Sequence, residues 1–212
     1  MEIPFSAACE RNKDPILEVI TPYLSDVETV LEIGSGTGQH AIYFSQNLPH
    51  LIWQTSDQAH YLDGIVAQID NKIAQPENKL LLKNLAYPIQ LDVTQDQWLK
   101  EKSTFDVIYS ANTLHIMPWQ AVEAFFVHLH QVLNRVSQTS AKVIIYGPFK
   151  YAGEYTSEGN HSFDQDLKSR GCGSGIRDFE AVNQLAINAG LRLVKDIAMP
   201  ANNQCLVWEL IR

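Results

Sequence analysis

A chain of 212 residues is the size of one large domain, whose core would bury roughly 70% of the surface its unfolded form exposes. With 45% hydrophobic and 19% charged residues, the composition excludes a disordered or fibrous protein. The net charge of −8, with no block of Lys and Arg to neutralise a phosphate backbone, disfavours nucleic acid as a partner.

Cys9, Cys172 and Cys205 are odd in number and far apart, so neither a disulfide framework nor a zinc CxxC pair is expected, and a reducing compartment is. The first residues reach charged side chains before any apolar run of signal-peptide length, and no run approaches the roughly 18 residues of a membrane span. A cytoplasmic location without membrane attachment is the resulting expectation.

The first predicted element is a helix from Pro15 to Leu24, with Asp14 as N-cap and Pro15 at the first helical position. The β-branched run Thr29 to Ile33 follows and ends in the glycine cluster Gly34, Gly36 and Gly38. Ala41, Ile42, Phe44 and Leu48 then recur at helical spacing, so the unit reads strand, tight turn, helix.

The alternation continues through a strand at Leu51 to Thr55, a helix near Ala59 to Ile73, and strands at Ile89 to Val93 and Phe105 to Ser110. A helix from Ala121 to Leu133 and a strand from Lys142 to Tyr146 come next. Such alternation predicts an α/β fold: a doubly wound, mostly parallel seven-stranded sheet covered by helices on both faces. After Gly147 about 30 residues show no clear period and are expected to form a lid or acceptor-pocket segment over 147–177. A helix from Asp178 to Ala189 and a hairpin of strands Leu191 to Ala198 and Gln204 to Ile211 close a single domain over 1–212, with 1–28 as an N-terminal cap.

The turn Glu32-Ile-Gly-Ser-Gly-Thr-Gly38 lies where a strand hands over to a helix, the point at which a parallel sheet opens its ligand crevice. Glycines allow a tight turn and close approach of a ligand, and the following helix N-terminus favours an anionic group such as a carboxylate. A nicotinamide dinucleotide turn needs GxGxxG, but the sixth position here is Gln39 and the third glycine comes one residue early. That spacing is the one found in methyltransferases that use S-adenosylmethionine. A purely structural glycine turn stays open.

Asp57, expected at the end of the second strand, can accept hydrogen bonds from ribose hydroxyls, and Asp92, expected at the end of the third, from an adenine amino group. Each alone also fits a helix cap or a solvated strand end. Glu32 sits in an otherwise apolar strand and needs a partner, either the turn itself or a cationic cofactor. At the exit of the fourth strand, Asn112 and His115 are the polar candidates for work on an acceptor. His115 serves either as a general base or as a packed histidine at a helix start. The [DNS]PP[YFW] tetrapeptide of amino-directed nucleic-acid methyltransferases is absent there. His128 and His130 lie two apart on a predicted helix and face different ways, so no metal site is expected.

The segments FSAACERNKDPILEVI, LEIGSGTGQHAIYFS, WQTSD, LDV, FDVIYSANTLHIMPW, YGPFKYAGEYTSEGNHSFD and GIRDFEAVNQLAINAGL occur in that order. Through them nearly the whole chain resembles a small uncharacterised methyltransferase-like family, long known only as a domain of unknown function. The resemblance implies a class I methyltransferase fold with Gly34, Gly36, Asp57, Asp92 and the backbone of Val93 around S-adenosylmethionine, Ser35 and Gly38 belonging to the same turn. It also implies that Arg11, Asn12, Lys13, Tyr151, Glu154, Tyr155, Ser157, Asn160, His161, Arg177 and Asp178 face the cofactor carboxylate or the acceptor, or else tie a lid together. Arg11 and Asn12 are taken as cofactor candidates, and Tyr155 joins His115 and Asn112 as a catalytic candidate. Gly171-Cys-Gly-Ser-Gly175 departs from the family pattern, where an aromatic residue commonly precedes the glycine. The expected activity is methyl transfer to a small molecule or protein; the alternative is a non-catalytic module that binds the cofactor and acts through partners.

Overall fold

The computed structural model describes residues 3–75, 78, 82–99, 103–133 and 141–211. Helix α1 (Ala7–Leu24) leads into β1 (Thr29–Ile33), α2 (Gln39–Asn47), β2 (Ile52–Asp57), α3 (Ala59–Ile73), β3 (Leu85–Gln90), β4 (Val107–Ala111), α4 (Trp119–His128) and β5 (Lys142–Gly147). A small excursion of β6 (Phe149–Tyr151), β7 (Glu154–Tyr155), α5 (Glu158–Ser169) and β8 (Arg177–Asp178) precedes α6 (Phe179–Asn188), β9 (Leu191–Met199) and β10 (Asn203–Leu210).

The main sheet has seven strands in the order β3-β2-β1-β4-β5-β10-β9. The first five are parallel, while β10 runs antiparallel to both β5 and β9, as the expected hairpin requires. Both faces of this sheet are covered, so β1 is buried at every position after Thr29 and reads as an apolar run interrupted only by Glu32. Side-chain alternation divides the core: Leu31, Ile108, Val143 and Trp208 pack with α4 and α6, whereas Val30, Trp53, Tyr109 and Val207 pack with α1, α2 and α3. Strand order reverses between β1 and β4, and a crevice opens at the carboxyl ends of these strands.

Three elements differ most from the sequence reading. Helix α1 begins eight residues before Pro15, capped by Ser6, whose Oγ accepts from Cys9 N–H at 3.3 Å, and Pro15 and Pro22 both lie inside it. Asp14 is therefore not a cap, and its carboxylate takes the Tyr43 hydroxyl. Strand β3 spans Leu85–Gln90 and stops two residues before Asp92, because its partner β2 ends at Asp57, opposite Gln90. Pro88 is tolerated in β3 because this is an edge strand. Helix α4 starts at Trp119 and gives way to a 3-10 turn at Leu129–Gln131.

The segment read as lacking a period holds the three-stranded sheet β7-β6-β8 and the twelve-residue helix α5. Ser157 caps α5 through a bond from Asn160 N–H at 3.1 Å. The helix hides its single apolar stripe because Asp164, fully buried, occupies a core position; it accepts from Tyr155 Oη at 2.6 Å, Ile176 N–H at 2.5 Å and Lys168 Nζ at 2.6 Å. No described helix is long and apolar enough to cross a membrane.

Candidate active site

The crevice measures about 460 Å³ and is lined from five directions. The glycine turn after β1 forms its floor, Asp57, Gln58 and Tyr61 one side, Leu91 to Thr94 a second, and Ala111 to Thr113 with Ile116 to Pro118 a third, with Ser6 and Cys9 of the α1 start above. Gly34, Gly36 and Gly38 all have positive φ, at 77°, 58° and 75°, which is why the turn is built from glycine. A Cβ on Gly34 would lie 2.7 Å from Thr113 Cγ2 and Oγ1, whereas one on Gly36 would meet nothing within 4 Å. The turn is thus packed tightly behind and left open in front.

Asp57 braces that turn. Its Oδ2 accepts Gly36 N–H at 2.7 Å and its Oδ1 accepts Gln58 N–H at 2.8 Å. Burial pushes its pKa up, and the two backbone donors pull against that shift. Glu32 is only 1% exposed, yet both of its donors, Ser35 Oγ at 3.0 Å and Trp53 Nε1 at 3.1 Å, bind the same oxygen, Oε2. Burial, opposed by those hydrogen bonds and reinforced by the charge of Asp57, raises Glu32 to about 7. Asp92 holds its own turn, its Oδ1 accepting Thr94 N–H at 3.0 Å and Thr94 Oγ1 at 2.7 Å.

Of the residues singled out in the sequence, Glu32, Gly34, Ser35, Gly36, Asp57, Asp92, Val93 and Asn112 line the crevice together. Gly38, at the N-cap of α2, packs against Ile65 just behind it. Asn112 has φ 56° and donates its N–H to Tyr146 O at 2.8 Å, which turns the chain out of β4 and presents Asn112 at the crevice wall. Asn12 is one step removed: its Oδ1 lies 2.7 Å from Nε2 of His40, a lining residue.

Three candidates stand elsewhere. Arg11 is exposed on α1 and is not among the lining residues, because the register of the longer helix turns Cys9 and Asn12 inward instead. Tyr155 spends its hydroxyl on Asp164. His115 is buried behind the wall, edge-on to Phe163, and burial with the nearby Arg177 and Arg170 charges lowers it to about 4. The imidazole is therefore neutral and its titration lies far below physiological pH, in contrast to the unshifted general base considered from the sequence.

The wall itself is held by a strap that the sequence reading did not connect to it. Arg177 Nε donates to Leu114 O at 3.1 Å, Gly175 N–H to His115 O at 2.8 Å, Ser174 Oγ to Ile116 O at 2.6 Å, and Arg177 Nη2 to Met117 O. Gly173, at φ 77°, would place a Cβ 3.0 Å from Pro118 Cβ, so the glycines of this segment permit close packing against the wall. Sequence reasoning also passed over Ser6, Cys9, Thr37, His40, Tyr61 and Thr113. Tyr61 lies one helical turn beyond Asp57, a spacing that could have marked it.

Solved structures with the same fold include an O-methyltransferase family protein from Burkholderia thailandensis, 14% identical, with TM-score 0.78 over 96% of this chain and 57% of that one. Human N-acetylserotonin methyltransferase, solved with SAM, is 11% identical with TM-score 0.76, covering 97% of this chain and 53% of that one. An O-methyltransferase family 2 protein from Planctomyces limnophilus, solved with apigenin, is 13% identical with TM-score 0.69, covering 94% and 62%. At these identities the likeness is one of fold, the class I methyltransferase fold, and the chain spans a little over half the length of these proteins. In sequence, residues 3–210 match the family described as protein of unknown function (DUF938), and the chain belongs to that family.

Proposed function

We propose that this protein is an S-adenosylmethionine-dependent methyltransferase acting on a small-molecule or protein acceptor. The observation that carries this reading is the crevice at the strand-order reversal, where an open glycine turn is flanked by Glu32, Asp57 and Asp92. The residues fit the cofactor: Gly36 leaves a cradle with no neighbour within 4 Å of a Cβ position, and Glu32 keeps one oxygen clear of its two donors.

When bound, the cofactor would supply an electrophilic methyl group on a sulfonium, whose carbon can accept an acceptor lone pair as the carbon–sulfur bonding pair stays on sulfur. Asp57, with two backbone donors taken and lone pairs to spare, would hold the ribose hydroxyls. Asp92 and the Val93 backbone would hold the adenine, Glu32 the ammonium, and the first turn of α2 the carboxylate. The protein's chief task is then to align the nucleophilic acceptor and exclude water, which requires neither a nucleophilic side chain nor a metal. Asn112 is the polar side chain we place beside the transferred methyl; we assign His115 and Tyr155 to holding the wall and the strap rather than to proton transfer.

Thermal shift with S-adenosylmethionine, S-adenosylhomocysteine and NAD tests the proposal, since a ligand that binds only the folded state raises Tm. Stabilisation by the two sulfur nucleosides and not by NAD is expected. Stabilisation by NAD alone, or by none of the three, would overturn it.

A further inference from the structure

The wall on the acceptor side has an unusual polarity. Along residues 114–117 every carbonyl is bound from behind by the strap, by Arg177, Gly175 and Ser174. Thr113 O is taken by the amides of Ile116 and Met117, and Pro118 O by those of Ala121 and Val122. The carbonyls of residues 113–118 are thus engaged within the protein, and beyond the polar Asn112 and Thr113 the wall offers the crevice Ile116, Met117 and Pro118.

The mouth continues that character. Ile116 is 46% exposed, and Tyr61, on the opposite side, is 45% exposed. Phe5, next to the lining residue Ser6, is 69% exposed in a segment fixed on either side, with Pro4 O accepting from Gln68 Nε2 at 3.2 Å and Ser6 N–H donating to Gln39 Oε1 at 2.5 Å. Exposed apolar side chains gathered at one opening mark a binding surface rather than scattered surface residues.

Charge narrows the occupant further. Among the described residues lining the crevice, the charged ones are Glu32, Asp57 and Asp92, and none is Lys or Arg. Three nearby cations are engaged elsewhere, Lys13 with Glu10 and the Tyr43 ring, Lys168 with Asp164, and Arg177 with the wall carbonyls and the Trp119 ring, while Arg11 is exposed on α1 outside the crevice lining. With Glu32, Asp57 and Asp92 assigned to the cofactor, an anionic acceptor would find no Lys or Arg among the described lining residues to pair with it.

We infer that the methyl acceptor is a small, mainly apolar molecule carrying no anionic group, seated between the Ile116–Pro118 wall and Tyr61. This inference rests on the methyltransferase reading of the crevice. It distinguishes among acceptors by charge and polarity, which the fold does not.

The test uses the full chain saturated with S-adenosylhomocysteine and three ring-matched probes: naphthol, naphthylmethylamine and naphthoate, titrated by calorimetry. Naphthol and the amine are expected to bind at least about tenfold more tightly than naphthoate, whose carboxylate would be buried without a cation to pair with. In the Ile116→Lys variant, which adds a cation at a half-exposed position of the wall, naphthoate should gain affinity and the amine lose it. Naphthoate binding as tightly as naphthol to the unaltered chain overturns the inference, and so do failure of all three probes or no response to Ile116→Lys. Failure of S-adenosylhomocysteine itself to bind instead sinks the methyltransferase reading.

Discussion

Gly36 N–H donates to Asp57 Oδ2 at 2.7 Å, so the carboxylate proposed to hold the cofactor ribose also fixes the glycine turn beneath it. One side chain therefore couples the shape of the turn to the ligand. Asp57→Ala removes the acceptor of both Gly36 and Gln58 and should weaken S-adenosylmethionine binding by about 1–3 kcal/mol, or roughly 5- to 150-fold. Asp57→Asn keeps an amide oxygen for one of these donors and should lie between the two. Calorimetry on the three proteins gives the ranking; equal affinities would remove Asp57 from the site.

The glycines of the turn should separate stability from binding. Gly34→Ala forces a Cβ to within 2.7 Å of Thr113 at φ 77°, and overpacking of this kind costs about 1–3 kcal/mol on top of the backbone strain. Gly36→Ala meets no neighbour and bears only the strain of its φ, about 1 kcal/mol, but its methyl would project into the cradle. Denaturant midpoints should therefore fall further for Gly34→Ala, while Gly36→Ala should remain well folded and lose cofactor affinity. The reverse order would mean that the turn does not face the ligand.

The alternation of strands and helices, the glycine turn and the carboxylates at the crevice were legible because each is a local pattern. Periodicity places Thr29 to Ile33 in a buried strand, and the turn must follow where that strand meets its helix. The start of α1 was hidden because Pro15 resembles a first helical residue while the true cap, Ser6, precedes a stretch too polar to show a period. Helix α5 was hidden by Asp164, whose burial depends on Tyr155, Lys168 and Ile176. The strap was illegible for a different reason: Arg177 and Leu114 are 63 residues apart, and the bonds between them join a side chain to backbone carbonyls that carry no sequence signal.

Arg177 should prove to be a positioning residue. Arg177→Ala frees the Leu114 and Met117 carbonyls from their guanidinium donor, and hydrogen exchange at Ile116 and Met117 should accelerate because their amides close the same turn onto Thr113 O. Arg177→Lys keeps the charge but not the fork that reaches both carbonyls and should not restore protection. Unchanged exchange in both variants would show that the wall holds without the strap.

Glu32 and His115 make opposite contributions to stability as pH changes. Glu32 is raised by burial to about 7 in the folded protein and ionises near 4.5 when unfolded. The folded state therefore holds the extra proton, and the stability it confers is complete below pH 4.5 and lost as pH rises through 7. His115 and His40, both lowered by burial to about 4, remain neutral in the folded protein, so their contribution is complete above pH 6.5 and is lost as pH falls towards 4. Glu32→Gln should remove the alkaline loss, so that the variant gains Tm relative to the unaltered protein as pH rises from 5 to 8. A positively charged cofactor placed against Glu32 should reverse that loss by expelling its proton, making S-adenosylmethionine binding tighter at pH 8 than at pH 6 and accompanied by proton release. Titration in buffers of different ionisation enthalpy measures the released proton directly. Zero release across this range would place the cofactor's charges away from Glu32.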